Sequence, residues 1–195
     1  MIETHPFGQF IPANSQCLVL GSFPTRKANW QFEFCYPGRA NFFWRMLSEI
    51  YGRKFNYSTG PEAANERKEL CNEKGVAITD TILKCRRKVA TSSKDSDLEV
   101  VEKMNILKVL RDNRSINTVI LTGSSGKVSA HSIFYEHLTE HKILFSVSGG
   151  KAPFQGHFLL DGKAIEVHSL YSTSGLNIGR YAEAKEQYKK YLPGV

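Results

Sequence analysis

Short apolar runs that stop at a glycine or an acidic residue, with helix-length stretches between them, constrain this chain most. Cys17-Leu18-Val19-Leu20 stops at Gly21, and Val76-Ala77-Ile78 ends at Asp80. Thr118–Thr122, the most strand-like run, is turned by Gly123-Ser124-Ser125-Gly126. Runs of this length fit buried strands that end in loops. Between them, Asn41–Gly52 reads as a helix, with Asn41 as N-cap, an apolar stripe of Phe43, Trp44, Leu47 and Ile50, and Gly52 as the stop. Further helices are expected over 62–73, 98–113 (on Val101, Met104, Leu107 and Leu110), 127–140 and 180–192 (with Ala184, Tyr188 and Tyr191 on one side). Ile143–Val147 is a strand candidate, and Phe158–Leu160 with Ala164–Val167 reads as a hairpin around Asp161-Gly162. Strands alternating with helices predict an α/β protein: a single three-layer domain over 1–195, with a short, mainly parallel central sheet and helices on both faces.

Composition narrows the partners. The chain carries a formal charge of +7 and a pI near 9.2, which favours polyanions without proving them. Lys84, Arg86, Arg87, Lys88 and Lys94 follow one another with no acidic residue between Lys84 and Lys94. Such a run is either a solvated loop or a surface that tracks phosphates. Cys17, Cys35, Cys71 and Cys85 show no C-x-x-C spacing, so free thiols are expected rather than a zinc or iron–sulfur site. His137 and His141 stand four apart, yet a zinc pair needs a third ligand, and a solvated helix end is the plainer reading. No cofactor or metal is expected. The start lacks the pattern of a signal peptide, and no stretch approaches the roughly 18 apolar residues of a membrane span. We expect a cytoplasmic monomer (nucleoid-associated in a bacterium, nuclear in a eukaryote) without membrane contact.

In a parallel sheet the site forms at the carboxyl ends of the strands. Four loops qualify: 21–41, 80–94, 123–126 and 170–177. The first is long and holds Trp30, Phe32, Phe34 and Tyr36. Such a loop either covers a sheet edge or presents rings to a planar ligand.

Leu20-Gly21-Ser22-Phe23-Pro24-Thr25 and Tyr36-Pro37-Gly38-Arg39-Ala40-Asn41-Phe42-Phe43-Trp44 resemble the first block of the uracil-DNA glycosylase superfamily, nearest its hypoxanthine-DNA glycosylase-like branch. Leu170-Tyr171-Ser172-Thr173-Ser174-Gly175-Leu176-Asn177 is similar to that branch's second block, and Gly75–Arg86 to its middle strand. The chain departs from the pattern at Phe23, where an Asn or Asp is frequent, at Gly38-Arg39, which replace His-Pro, and at Leu170, where other branches carry a histidine.

The resemblance implies a monofunctional DNA glycosylase that flips a deaminated base, of the uracil or hypoxanthine class, and hydrolyses its bond to the sugar. It implies DNA as partner and Asn41 as the catalytic residue holding the attacking water. It also implies Tyr36, Asp80, Ser22 and Phe23 around the base, and Ser172, Thr173 and Ser174 on the DNA. Lys84, Arg86 and Arg87 join that DNA-facing set through the basic run. Each residue has a plainer reading too: Asn41 as a helix cap, Tyr36 as core, Asp80 as a cap or turn. His168, two residues before the second block, is a weak substitute for the missing histidine. Two other functions stay open, a relative that binds nucleic acid without cutting it and an enzyme acting on free nucleosides.

Overall fold

The computed structural model describes residues 1–124, 126–148 and 153–195. In chain order these form β1 (Ile2–Thr4), β2 (Cys17–Gly21), α1 (Phe43–Tyr51), α2 (Gly60–Lys74), β3 (Val76–Asp80), β4 (Ile82–Arg87) and β5 (Leu98–Lys103). There follow α3 (Ile106–Asp112), β6 (Thr118–Thr122), α4 (Ala130–Glu140), β7 (Phe145–Ser148), β8 (Phe154–Leu160), β9 (Lys163–Leu170) and α5 (Tyr181–Tyr191). Six strands form one sheet in the order β3-β2-β6-β9-β8-β7. Its first four strands run parallel, and β8 and β7 are added antiparallel.

The two faces of the sheet bury alternate residues of the same strands, as the period of two requires. Cys17 and Val19 of β2, Val76 and Ile78 of β3 and Ile120 of β6 pack with Phe43, Met46 and Leu47 of α1, Leu70 of α2 and Tyr188 of α5. Leu18, Leu20, Ala77, Val119 and Leu121 face the other way, onto Leu107 and Leu110 of α3 and Phe134 and Leu138 of α4. Helices therefore cover both faces, which gives the three layers expected from the alternation of elements. Burial on both faces is also why these strands are uninterrupted apolar runs.

One stretch departs from its sequence reading. Residues 98–113 do not form a single helix; β5 occupies the first six, and α3 begins only at Ile106. Leu98 is buried while Val101 is 45% exposed, so the intended stripe fails at its first member. β5 pairs antiparallel with β4 and so completes a small second sheet, β1-β4-β5. Two adjacent valines, stiff at the β-carbon, suit that pairing better than a helix turn. The same sheet corrects the loop expected over 80–94, since β4 places Lys84, Arg86 and Arg87 on a strand.

Register aligns the strand ends. Gly21 sits beside Asp80, Leu20 beside Leu121, and Thr122 beside Leu170. The carboxyl edge of the sheet thus gathers the residues at which the sequence runs stop.

Candidate functional site

Gly21, Asp80 and Thr122 share one face of this edge, the face of α1 and α5, because they continue the alternation of Val19, Ile78 and Ile120. Over them arches the aromatic loop. Phe32 and Phe34 are buried, Phe34 stacks on Trp44 at 5.6 Å, and Trp44 Nε1 donates to Cys35 O at 2.9 Å. These rings anchor the loop to α1 and leave Tyr36 at its end over the strands. Tyr36 has φ +55°, a left-handed conformation that is rare for an aromatic residue and held here by its surroundings.

The Tyr36 ring lies 4.2 Å from that of Phe43, and its hydroxyl is 3.3 Å from Thr122 Oγ1. Since Thr122 donates to Leu20 O at 3.2 Å, the Tyr36 hydroxyl is the donor to Thr122. Burial, reinforced by the Asp80 charge, pushes the Tyr36 phenol well above its ordinary range. The residue as a whole is only half-buried. Gly21 is ungated by a side chain: a β-carbon there would stand 2.2 Å from Asp80 Oδ1 and 3.2 Å from the Tyr36 hydroxyl. The carboxylate and the phenol therefore converge on one bare spot of backbone.

Asp80 is 5% exposed. Its Oδ2 lies 2.9 Å from His5 Nε2, and His5 Nδ1 accepts from Gly8 N at 3.0 Å. Nothing near His5 in the sequence announces this partnership across 75 positions.

The rim of the site comes from the 170–177 loop. The Cβ of Ser172 lies 3.3 Å from the position a β-carbon of Gly123 would take. Ser172 Oγ accepts from Ser174 N at 3.2 Å, and the buried Thr173 gives its carbonyl to Phe42 N at 3.0 Å. Gly175 passes so close to Ala40 that a β-carbon would meet Ala40 O at 2.7 Å. This contact ties the two sequence blocks together. Asn41 sits at the join. Its Oδ1 accepts from Phe43 N at 2.9 Å, which caps α1 from two residues before its first helical position rather than from the position directly before it.

The remaining candidates are spread around this centre. Phe23 is 9% exposed and packs on Ile82, Leu98 and Ile133. Ser22 Oγ donates to Asp95 Oδ2 at 2.7 Å. Burial, with Asp80 nearby, pushes the Asp95 carboxyl up to about 6. Lys84 pairs with Glu102 at 2.6 Å, Arg86 with Glu99 at 2.9 Å and Arg87 with Glu3 at 3.0 Å. Arg87 also donates to Pro24 O at 2.8 Å, so it braces the 22–25 turn. Lys88 and Lys94 are exposed. His168 is mid-strand and stacks on Tyr191 of α5 at 3.7 Å, away from the strand ends. The turn at 123–126 contains Ser125, which lies outside the described residues.

Two surface grooves of about 590 and 500 Å³ flank the outer side of the aromatic loop, lined by Lys27, Trp30, Glu33 and Lys68. Neither contains Tyr36, Asn41 or Asp80. The strand-end cluster is the better candidate for chemistry, because it holds the buried carboxylate, its histidine and the strained tyrosine. Among the described residues no three His, Cys, Asp or Glu side chains gather to hold a metal ion. None of the described helices is long and apolar enough to cross a membrane. The four cysteines are free and buried.

No family model matches this chain, and no curated protein does. Its fold is similar to the solution NMR structure of a candidate uracil DNA glycosylase from Methanosarcina acetivorans. The TM-score is 0.61 over 97% of this chain and 98% of that one, at 17% sequence identity. At that identity the likeness is one of fold.

Proposed function

We propose that the protein is a monofunctional DNA glycosylase that excises a deaminated base of the uracil or hypoxanthine class, acting as a monomer on DNA. The observation that carries this reading is the convergence of Tyr36, Asp80 and the bare backbone of Gly21 at the carboxyl edge of a sheet whose fold is that of the archaeal protein. A flat ring can lie on the tyrosine, with the bare backbone of Gly21 making room for the carboxylate that accepts from the ring's N–H.

Hydrolysis then breaks the bond between C1′ of the sugar and the base nitrogen. The electron pair leaves with the base, which acquires a proton, and a water oxygen bonds to C1′ and releases its own proton. The leaving base is anion-like and the sugar cation-like, so the site needs orientation and polar contacts more than a strong base. Stacking on Tyr36 contributes about 1–3 kcal/mol, as it does for bases in nucleic-acid sites. In this mechanism Asn41 holds the water with its second lone pair and its amide nitrogen, while Oδ1 keeps its bond to Phe43 N. Ser22 and Phe23 shape the wall behind Asp80. Ser172, Thr173 and Ser174 approach a phosphate with short hydroxyls and backbone N–H groups. Lys84, Arg86 and Arg87 reach phosphates only by leaving their glutamates; for the exposed pairs that exchange costs about 0–1 kcal/mol each.

The cap that Asn41 provides favours a second reading, a relative that binds DNA without cutting it, because one lone pair of its amide oxygen is already committed. A panel of oligonucleotides bearing uracil, hypoxanthine or xanthine, single- and double-stranded, decides between them. Alkali-labile abasic sites on one of these, with free nucleosides untouched, support the glycosylase. Salt-dependent binding without any abasic site supports the second reading, and turnover of free nucleosides alone rejects both.

A further inference from the structure

His5 takes no part in the mechanism above, yet its side chain is fully buried and touches the Asp80 carboxylate. Its orientation is over-determined. The backbone N–H of Gly8 can only donate, so Nδ1, 3.0 Å away, is the unprotonated nitrogen. The remaining proton is then on Nε2, which donates to Asp80 Oδ2 at 2.9 Å. Phe7 and Phe23 meet the imidazole edge-on at 6.0 and 5.7 Å and hold the ring plane. The backbone N–H of His5 donates to Leu83 O at 2.8 Å, which fixes the segment to the second sheet.

One oxygen of Asp80 is therefore spoken for, and the other is aimed. Oδ1 takes no hydrogen bond from any described residue and stands over Gly21. A carboxylate free at both oxygens accepts a pair of adjacent donors in bidentate fashion. A carboxylate with Oδ2 occupied offers one acceptor in one direction.

We infer that His5 is a positioning residue that holds Asp80 as a single, directed acceptor, so that the site selects a base presenting one ring N–H to Oδ1, the lactam edge of a deaminated base. This role presupposes the base-excision chemistry proposed above and adds to it the group that sets the choice of base. A ring methylated at that nitrogen loses the donor and meets the carboxylate with a methyl group instead. Phe23, which packs at the histidine's edge, acts on the base through the same ring rather than by contact.

Two substitutions separate positioning from mere packing. His5→Gln keeps a donor long enough to reach Asp80, whereas His5→Asn retains an acceptor for Gly8 N–H and cannot reach Asp80. Excision is measured on duplexes carrying hypoxanthine or 1-methylhypoxanthine, for wild type and both variants, alone and with Asp80→Ala. Wild type and His5→Gln are expected to prefer hypoxanthine by about tenfold or more, and His5→Asn to lose most of that preference. In the Asp80→Ala background the two variants should no longer differ. Equal discrimination by folded His5→Gln and His5→Asn overturns the assignment, as does a difference that persists without Asp80. If wild type excises uracil instead, the same comparison is made with uracil and 3-methyluracil; if it excises none of these bases, the glycosylase reading falls, and NMR titration of the same proteins with free hypoxanthine and 1-methylhypoxanthine decides the role of His5. Weaker, unselective binding by His5→Asn alone then supports it, and equal binding of both bases by wild type refutes it.

Discussion

Replacing Gly21 with alanine tests the construction of the site without any assumption about substrate. The backbone of Gly21 lies outside the left-handed region, so an alanine meets no conformational penalty there. By itself such a change stabilises by about 0.4–1 kcal/mol through the unfolded chain. Against that stands the new methyl group, 2.2 Å from Asp80 Oδ1 where real β-carbons keep at least 3.0 Å. The carboxylate cannot yield freely, because its other oxygen is bound to the buried His5 at 2.9 Å. Overpacking of this kind costs about 1–3 kcal/mol. Weakening a hydrogen bond to a charged group adds up to about 1.5–3 kcal/mol. We expect Gly21→Ala to lose about 2–4 kcal/mol in urea denaturation. With Asp80→Ala already in place, the obstacle is gone and the same substitution should cost less than about 1 kcal/mol. A Gly21→Ala protein within about 0.5 kcal/mol of wild type, or an equal loss in both backgrounds, would refute the convergence of these groups.

Tyr36→Phe should keep excision within a few-fold of wild type and lose about 1 kcal/mol of stability with the bond to Thr122, whereas Tyr36→Ala should reduce kcat/KM by about 5- to 150-fold; equal activities of the two variants would remove stacking from the account. Two buried groups pull stability in opposite directions with pH. Burial first, and then the neighbouring His141, lower the His137 imidazole to about 4, so it stabilises the fold above pH 6.5 and loses that contribution as pH falls to 4. The raised Asp95 carboxyl stabilises the fold below its ordinary value of 3.8 and loses that contribution as pH rises through about 6. Wild type should therefore vary little between pH 4 and 6. Asp95→Asn should expose an acid-side loss, and His137→Gln a loss toward neutral pH, each of up to about 3 kcal/mol and both read as urea midpoints. Identical pH profiles for all three proteins would contradict this balance.

The parts of the fold that the sequence announces are those fixed by local pattern. The runs ending at Gly21, Asp80 and Thr122 are strands because burial on both faces demands unbroken apolar residues. The Asp161-Gly162 turn carries two positive φ angles, as a two-residue hairpin needs. Residues 98–103 show no strand signal of their own because their partner, β4, is a strand half of whose residues are charged and whose pairing depends on tertiary contact. The basic run at 84–87 hid its neutralisation for the same reason: Glu3, Glu99 and Glu102 reach it only across the second sheet. In the site, Gly21, Tyr36 and Asp80 stood in recognisable blocks. His5, Thr122 and Asp95 did not, since a buried histidine 75 positions from its carboxylate and a loop aspartate bonded to Ser22 leave no periodic signal. The left-handed backbone of Tyr36 likewise leaves no mark in the sequence.

Chromatographic identification of the product is the most direct trial of the whole account. Wild type incubated with a duplex carrying a single deaminated base should release the intact free base and leave an abasic strand, and Asn41→Ala, still folded and still bound to the duplex, should do so at least about a hundredfold more slowly. A duplex that stays whole with every lesion, or a base released only as a nucleoside or nucleotide, would contradict it.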